Sequence, residues 1–558
     1  MKSLRDLGAR PANLAMRRMT AGEMVSKLGT RNQGSRVEAM PSPEQVSRFG
    51  QMVQGCSLLP EETIRLLEAG GFPDVQSGWT RYVQAALVKG NIRLASGMIR
   101  TVKYRGWKRV IEYRCRRCGS GQAHIHVTDC PLCGGPCPYC EACLTMGRVR
   151  GCSILIDGAE QPVESADDSL RVGRTESMAG IEIGQPAQLK KWGLSPAQEE
   201  ASKQGVLFLR RTWGGDKRPG KHPRFLIWAV TGAGKTEMIY PLIEDELNRG
   251  GRVLVATPRR DVVLELAPRI GKAFPDTSMA VLYGGSPDRW KRGAITLATT
   301  HQLLRIRHAF DLVIVDELDA FPYHNNPMLE YAALQACRPT GRFVLLSATP
   351  PKRMQREAAF GRLPHVKVPV RYHRHPLPVP ERLTCPDPET MIRRGRLPRN
   401  VASFVQRSLV RGAQCFVFVP KIALVEPLVA LLEREFPDRK IAGTSSKDSL
   451  RGDKVLGFRE KAYDLLVTTT ILERGVTVPK SDVLVVGADS PIFDEASLVQ
   501  MAGRAGRSQD DPAGHVGFAS RNWTISQRGA IRQIRSMNRL AEQAGYLLRD
   551  AGKGGAGG

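Results

Sequence analysis

The sequence predicts an α/β protein made of two tandem parallel-sheet lobes, preceded by a small helical region and a cysteine-rich module. Three observations predict it. From about residue 190 onward, apolar stretches of strand length alternate with helical patterns, as they do in parallel sheets built from βαβ units. A basic, proline-rich stretch from Pro369 to Arg399 divides that pattern into two blocks. Seven of the chain's 12 cysteines lie between Cys115 and Cys143, ahead of both blocks.

A chain of 558 residues is too long for one core and calls for several units. Lys and Arg number 82 against 55 Asp and Glu, a net charge of +27, so a polyanion is the expected partner. No apolar run reaches the roughly 18 residues that a transmembrane helix requires, so the chain is expected to have no membrane span of its own. The first fifty residues carry excess Lys and Arg but no apolar core or cleavage site, which argues against a secretory signal. The clustered cysteines therefore read as a metal site in a reducing compartment rather than as a disulfide framework.

In chain order, residues 1–50 are expected to be a basic arm, disordered or loosely helical. Residues 51–108 are expected to form a small helical module. Its pattern runs helically from Pro60 to Val102: Pro60-Glu-Glu-Thr-Ile-Arg-Leu-Leu-Glu-Ala ends on a glycine pair, and the apolar spacing repeats over Trp79 to Gly90. Arg109 to Arg114 reads as a strand leading into the cysteine module, 109–152. The acidic, Ser- and Gly-containing stretch that follows, 153–190, reads as a linker. The first lobe spans 191–368, with strands expected at Phe225 to Trp228, Arg252 to Ala256, Thr277 to Leu282, Ile295 to Ala298, Leu312 to Val315 and Arg342 to Leu346. After a linker at 369–398, the second lobe spans 399–522, with strands at Cys415 to Val419, Asp464 to Thr468 and Val483 to Gly487. Residues 523–558 are expected to be a basic amphipathic helix and a flexible tail.

In the cysteine module, Cys115-Arg-Arg-Cys118 and Cys140-Glu-Ala-Cys143 are paired CxxC elements, with Cys130, Cys133 and Cys137 between them. Two such knuckles can wrap four thiolates tetrahedrally around Zn²⁺. Seven thiols exceed one site. The alternatives are one four-cysteine site with spectators, or two sites with His124 or His126 completing the second. Arg114, Arg116 and Arg117 put positive charge on this ribbon, which suits a phosphate backbone.

The chemistry-bearing motifs begin at residue 225. There an apolar strand breaks into Ala229-Val-Thr231-Gly232-Ala233-Gly234-Lys235-Thr236. Its backbone N–H groups and the following helix N-terminus can cradle a triphosphate; Lys235 reaches the β- and γ-phosphates and the Thr236 hydroxyl ligates Mg²⁺. Asp311-Leu-Val-Ile-Val-Asp316-Glu317 is a strand ending in adjacent carboxylates: Asp316 would hold Mg²⁺ through water and Glu317 would polarise the attacking water. Gln198, upstream, could read the adenine edge. Ser347-Ala-Thr349 places two hydroxyls near the lobe interface. Gln500-Met-Ala-Gly-Arg504-Ala-Gly-Arg507 puts two guanidinium groups on one helical face, where one or both can act as an arginine finger. Thr468 and Gly475 fit phosphate contact and nucleotide sensing at a strand end. Pro258, Arg259, Thr299 and Thr300, on loops following strands, suit nucleic-acid phosphates.

Taken in this order, the segments over about 190–520 resemble superfamily 2 helicases, whose phosphate loop reads Ala-x-Thr-Gly-x-Gly-Lys-Thr. The cysteine knuckle ending in Tyr139-Cys-Glu-Ala-Cys-Leu-Thr-Met-Gly-Arg-Val149, with Asp-Glu-Leu-Asp-Ala-Phe-Pro-Tyr-His-Asn-Asn-Pro-Met-Leu at 316–329, is similar to the ComFA family of late-competence ATPases of Gram-positive bacteria. The resemblance implies two RecA-like lobes and an ATP-, Mg²⁺- and Zn²⁺-dependent translocase on single-stranded DNA. It also implies a cytoplasmic place at the inner face of the cell membrane, at the uptake channel, with partners similar to ComFC and DprA. The family's zinc ligands map onto Cys115, Cys118, Cys140 and Cys143; Cys130, Cys133 and Cys137 depart from that pattern. The rival readings are a PriA-like primosomal helicase and a non-catalytic, zinc-dependent DNA-binding adaptor.

Overall fold

The computed structural model describes residues 40–159, 190–212, 222–473 and 478–548. Most of the expected basic arm, most of the first linker, the glycine tail and Gly475 lie outside the described residues.

The first lobe is a seven-stranded, wholly parallel sheet. In chain order its strands are β8 (Arg224–Ala229), β9 (Val253–Thr257), β10 (Met279–Leu282), β11 (Ile295–Thr299), β12 (Phe310–Val315), β13 (Cys337–Ser347) and β14 (His365–Val368), and they lie side by side as β10-β11-β9-β12-β13-β8-β14. The central strands are buried on both faces, which is why Phe225-Leu-Ile-Trp and Leu312-Val-Ile-Val read as continuous apolar runs rather than alternating ones. The second lobe is a six-stranded parallel sheet of β15 (Glu381–Thr384), β16 (Gln414–Phe418), β17 (Ile441–Thr444), β18 (Leu465–Thr468), β19 (Ser481–Val486) and β20 (Val516–Ser520), ordered β15-β20-β19-β16-β18-β17. β14, β15, β17 and β20 were not expected from the pattern. β15 and the helix Pro388–Arg394 fall inside the stretch expected to be an interlobe linker. The basic helix Ile525–Gln543 does form, capped by Thr524, whose hydroxyl accepts from the Gln527 N–H.

The amino-terminal part differs more from its expectation. The helices Pro43–Val53, Pro60–Ala69 and Val75–Val88 are present, the first of them starting within the expected arm. Beyond Gly90 the helical reading fails. β2 (Ile92–Ser96) joins β1 (Ser57–Leu58) and β7 (Ile154–Gly158) in an antiparallel sheet ordered β1-β7-β2. β7 lies in the stretch expected to be a linker, so the cysteine module leaves the sheet after β2 and returns to it at β7. Between those two points are two hairpins, β3 (Met98–Arg105) with β4 (Lys108–Cys115), and β5 (Ile125–Cys130) with β6 (Gly135–Cys140).

This module is locked onto the first lobe. The buried Glu62 carboxylate accepts from Arg117 at 2.6 Å and from Arg305 at 2.7 Å, and Arg117 also donates to the Leu304 and Met146 carbonyls. Arg307 pairs with Asp157 at 3.1 Å. No helix among the described residues is long and apolar enough to cross a membrane.

Candidate nucleotide site and cysteine centres

The strand order explains the nucleotide site. β12, β13 and β8 are adjacent, so Asp316, Ser347-Ala-Thr349 and the loop after Ala229 emerge side by side at the carboxyl ends of the strands, where ligands bind in open parallel sheets. There Asp316 and the loop line a cavity of about 590 Å³, together with Gln198 and Glu317 from the first lobe and Gln500, Arg504 and Arg507 from the second. The helix Lys235–Asn248 starts on Gly234 and aims its positive end into the cavity.

Ala229 itself is the buried last residue of β8, and Thr236 is buried just inside the helix. Gln198 lies against the loop rather than in open space: its Nε2 donates to the Ala233 carbonyl at 2.8 Å and its Oε1 accepts from the Ser195 N–H. The adenine-reading role expected of it thus competes with bracing of the phosphate loop. Burial pushes the Asp316 carboxyl up to about 6, opposed by the Lys235 ammonium and reinforced by the Glu317 carboxylate. Asp316 also accepts from the Glu317 N–H at 2.8 Å, and Glu317 sits at a left-handed φ of 50°.

Arg504 and Arg507 reach the cavity, but not from a helical face. The helix Glu495–Ala502 ends before them. The carbonyls that would continue it are taken instead by the wholly buried Arg371 guanidinium, which donates to those of Gly503, Ala505 and Gly506. Arg371 also donates to the Thr231 carbonyl at 3.3 Å, so one side chain ties the phosphate loop to the arginine segment of the other lobe. Close approach makes Gly503 necessary: a Cβ there would meet the Thr231 hydroxyl at 1.9 Å. Burial pushes Arg371 down to about 9, with the Arg507 charge adding to the effect. Burial likewise lowers Arg504, followed by Arg507, and lowers Arg507 against the pull of Glu265 and Glu317. Cations held in this way favour a multiply charged anion in the cavity.

A second bridge joins the lobes. Ser347 and Thr349 donate to the two oxygens of Asp319 at 2.6 and 2.5 Å, and Gln500 reaches both Asp319 and Thr349. The coupling expected of Ser347-Ala-Thr349 therefore has a carboxylate centre, Asp319, to which sequence reasoning assigned no role. Arg371 carries no sequence signal at all, since its partners are backbone carbonyls far along the chain.

The residues expected to contact nucleic acid also gather at carboxyl strand ends. Thr257 and Thr299 are register partners at the ends of β9 and β11, and Thr444 and Thr468 are register partners at the ends of β17 and β18. Pro258 and Arg259 follow β9. Thr299, Thr300 and Thr468 are buried, and Arg259 donates across the cleft to the Ile471 carbonyl at 3.2 Å. In this arrangement Arg259 is an interlobe contact rather than an open phosphate ligand.

The cysteines form two clusters, not one with spectators. In the first, Cys115, Cys118, Cys140 and Cys143 are buried, and their sulfurs lie within 4.8 Å of one another. The Cys118–Cys140 and Cys115–Cys143 separations are 3.5 and 3.9 Å. Tetrahedral zinc with bonds of about 2.3 Å separates its sulfurs by about 3.8 Å, so the donor set fits. The second is Cys130, Cys133, Cys137 and Cys152, with Cys130–Cys152 at 3.7 Å. Burial would raise the Cys130 thiol, yet the backbone N–H groups of Cys133 and Leu132 and the Cys152 thiol hold it down at about 7. The fourth member of this cluster is Cys152, not His124 or His126; both histidines face Glu141 instead, at 3.2 and 2.9 Å. The expected phosphate-binding arginines are occupied as well. Arg117 is buried on Glu62, Arg116 donates to the Ser96 carbonyl, and Arg114 donates to the Gly119 carbonyl and lies over Tyr331.

Comparison with known proteins adds family to geometry. Residues 73–157 match the family described as Competence protein ComFA N-terminal domain, 219–357 match DEAD/DEAH box helicase and 397–509 match Helicase conserved C-terminal domain. Competence protein ComFA of Bacillus subtilis is 39% identical over 429 residues, 77% of this chain and 86% of that protein. Its Streptococcus pneumoniae counterpart is 36% identical over 405 residues, 72% of this chain and 86% of that protein. Among solved structures, S. cerevisiae Dbp5 bound to RNA and ADP BeF3 overlaps with a TM-score of 0.43 at 14% identity, covering 62% of this chain and 93% of that one.

Proposed function

The chain belongs to the ComFA family and is an ATP-dependent enzyme of the helicase type, and on that premise we propose that it is a DNA-stimulated ATPase that pulls single-stranded DNA during uptake in natural transformation. The observation that carries the reading is the cavity in which Lys235, Asp316 and Glu317 of one lobe face Arg504 and Arg507 of the other.

In this reading the backbone from Thr231 to Thr236 and the Lys235 ammonium hold the β- and γ-phosphates of ATP. Thr236 and Asp316 would hold Mg²⁺, which when bound would supply charge neutralisation to the phosphates. Glu317 orients the attacking water and accepts its proton. Arg504 and Arg507 stabilise the charge that grows on the transferred phosphoryl group. Hydrolysis then loosens the contacts made through Arg371 and through Asp319–Gln500, so that the lobes part and close again on DNA at the carboxyl strand ends. Both cysteine clusters belong to this reading as zinc sites, in which four thiolates cross-link each fold. Family membership supports work at the uptake channel beside partners similar to ComFC and DprA.

Steady-state ATP turnover measured with single-stranded DNA, duplex DNA and RNA side by side tests the reading. Single-stranded DNA should stimulate most. Lys235→Ala should lower turnover about a hundredfold or more while binding DNA normally. Unchanged turnover in that variant overturns the motor, and equal stimulation by RNA overturns the choice of cargo.

A further inference from the structure

The β3–β4 hairpin has no part in the nucleotide site, and its outer half lies open. Each strand has eight residues, a reach of roughly 26 Å at about 3.3 Å per residue. Register runs from Met98↔Cys115 at the base to Arg105↔Lys108 at the tip, closed by Gly106-Trp107. Gly106 has φ +60° and Trp107 does not share that sign, the pattern of a tight hairpin turn that needs glycine in its first position. That turn fixes where Trp107 stands.

The base is firm. Met98 and Cys115 are buried, Cys115 belongs to the first cysteine cluster, and the Tyr113 N–H donates to Gln122. The outer half is different: Tyr104 is 73% exposed and Trp107 fully exposed. Residues opposite each other in the ladder share a face, so Val102 with Ile111 and Tyr104 with Arg109 form one surface, continued towards the base by Arg100 with Tyr113. Lys108 flanks the tip, and Lys103 on the other face pairs with Glu112 at 2.7 Å. From Met98 to Cys115 there are six Lys or Arg against one Glu. A two-stranded ribbon does not gain from displaying a tryptophan and a tyrosine to water unless something covers them.

We propose that this hairpin is a single-stranded DNA-binding arm, in which Tyr104 and Trp107 stack on bases while Lys108 and Arg109 hold the phosphates. The inference rests on the cargo assigned above and adds a contact that the two lobes do not make. Stacking on exposed rings between cations is the chemistry by which proteins hold single strands without reading sequence. The charge balance decides against an apolar protein partner, which would leave these cations without counter-charges, and exposed rings between cations suit stacked bases better than acidic side chains.

The test uses the full-length, zinc-loaded chain and a fluorescent thymidine 30-mer, with binding followed by anisotropy and ATP turnover titrated against the same oligonucleotide. Trp107→Ala should weaken binding about tenfold, and Tyr104→Ala with Trp107→Ala further. Trp107→Phe should bind within about threefold of the parent, because a phenyl ring still stacks. Turnover at saturating DNA should stay at the parent value and only the half-saturating DNA concentration should rise. Zinc content equal to the parent's shows that the hairpin base is intact. Binding unchanged within twofold in the double variant overturns the arm while leaving the motor standing, as does loss of duplex binding alone or loss confined to capture of a protein. A parent chain that shows no stimulation by the 30-mer overturns the motor reading instead, so the two failures are separable.

Discussion

The two cysteine clusters use the same ligands in opposite surroundings. Cys115, Cys118, Cys140 and Cys143 are continuous with the apolar core of the first lobe, beside the Arg117–Glu62–Arg305 junction. Cys130, Cys133 and Cys137 sit on the β5–β6 hairpin and Cys152 on the chain that returns towards β7, with Cys133 exposed and Leu132 and Val127 beside them 72% and 57% exposed. Four thiols in tetrahedral reach therefore do not define one role. The first cluster is a piece of the core between module and lobe, whereas the second holds an outlying hairpin to the chain that returns at Cys152.

The largest effect that would break this contrast is expected at the inner cluster. Cys140→Ser should remove one zinc and cost on the order of several kcal/mol, unfolding the module and loosening its seat on the lobe. Metal analysis with thermal unfolding checks it, and an unfolding midpoint like the parent's defeats the idea that this cluster is part of the core. Next comes Glu62→Ala, which strands the buried Arg117 guanidinium and the partly exposed Arg305 and should cost about 3–5 kcal/mol with both zincs retained. Loss of metal in that variant would mean that the junction and the cluster are one unit. The smallest effect is expected of Cys133→Ser: the outer site should lose its metal and the unfolding midpoint should move by about 1 kcal/mol or less. A shift as large as that of Cys140→Ser would erase the distinction.

What the sequence made legible follows the range of the interactions involved. The phosphate loop, Asp316 and Glu317 are local devices, each a strand end with its own loop, and local spacing carries them. Arg504 and Arg507 do line the cavity, but not from the expected helical face, because the carbonyls that would continue the helix are claimed by Arg371, in the stretch after β14. β2 and β3 were hidden in a helical reading because the pleat of Ile92–Ser96 has meaning only once β7 is beside it. Cys152 was overlooked for a related reason: it lies beyond the dense run of cysteines and joins Cys130 only when the chain doubles back. Arg114, Arg116 and Arg117 looked like a phosphate surface, since nothing in a string of residues tells a solvated arginine from one paired with Glu62.

The return of β7 to the sheet has a mechanical side. Entry and exit of the cysteine module are neighbours, Ser96 facing Ile154 in the ladder and the Gly97 N–H donating to the Ser153 carbonyl. A pull on either hairpin is therefore delivered to two adjacent strands of one small sheet, and from there through the Glu62 junction into the lobe that turns over ATP. The module resembles a crane jib, its foot on two adjacent strands and a short strut beside it, so a load on it would be shared between that sheet and the Glu62 junction.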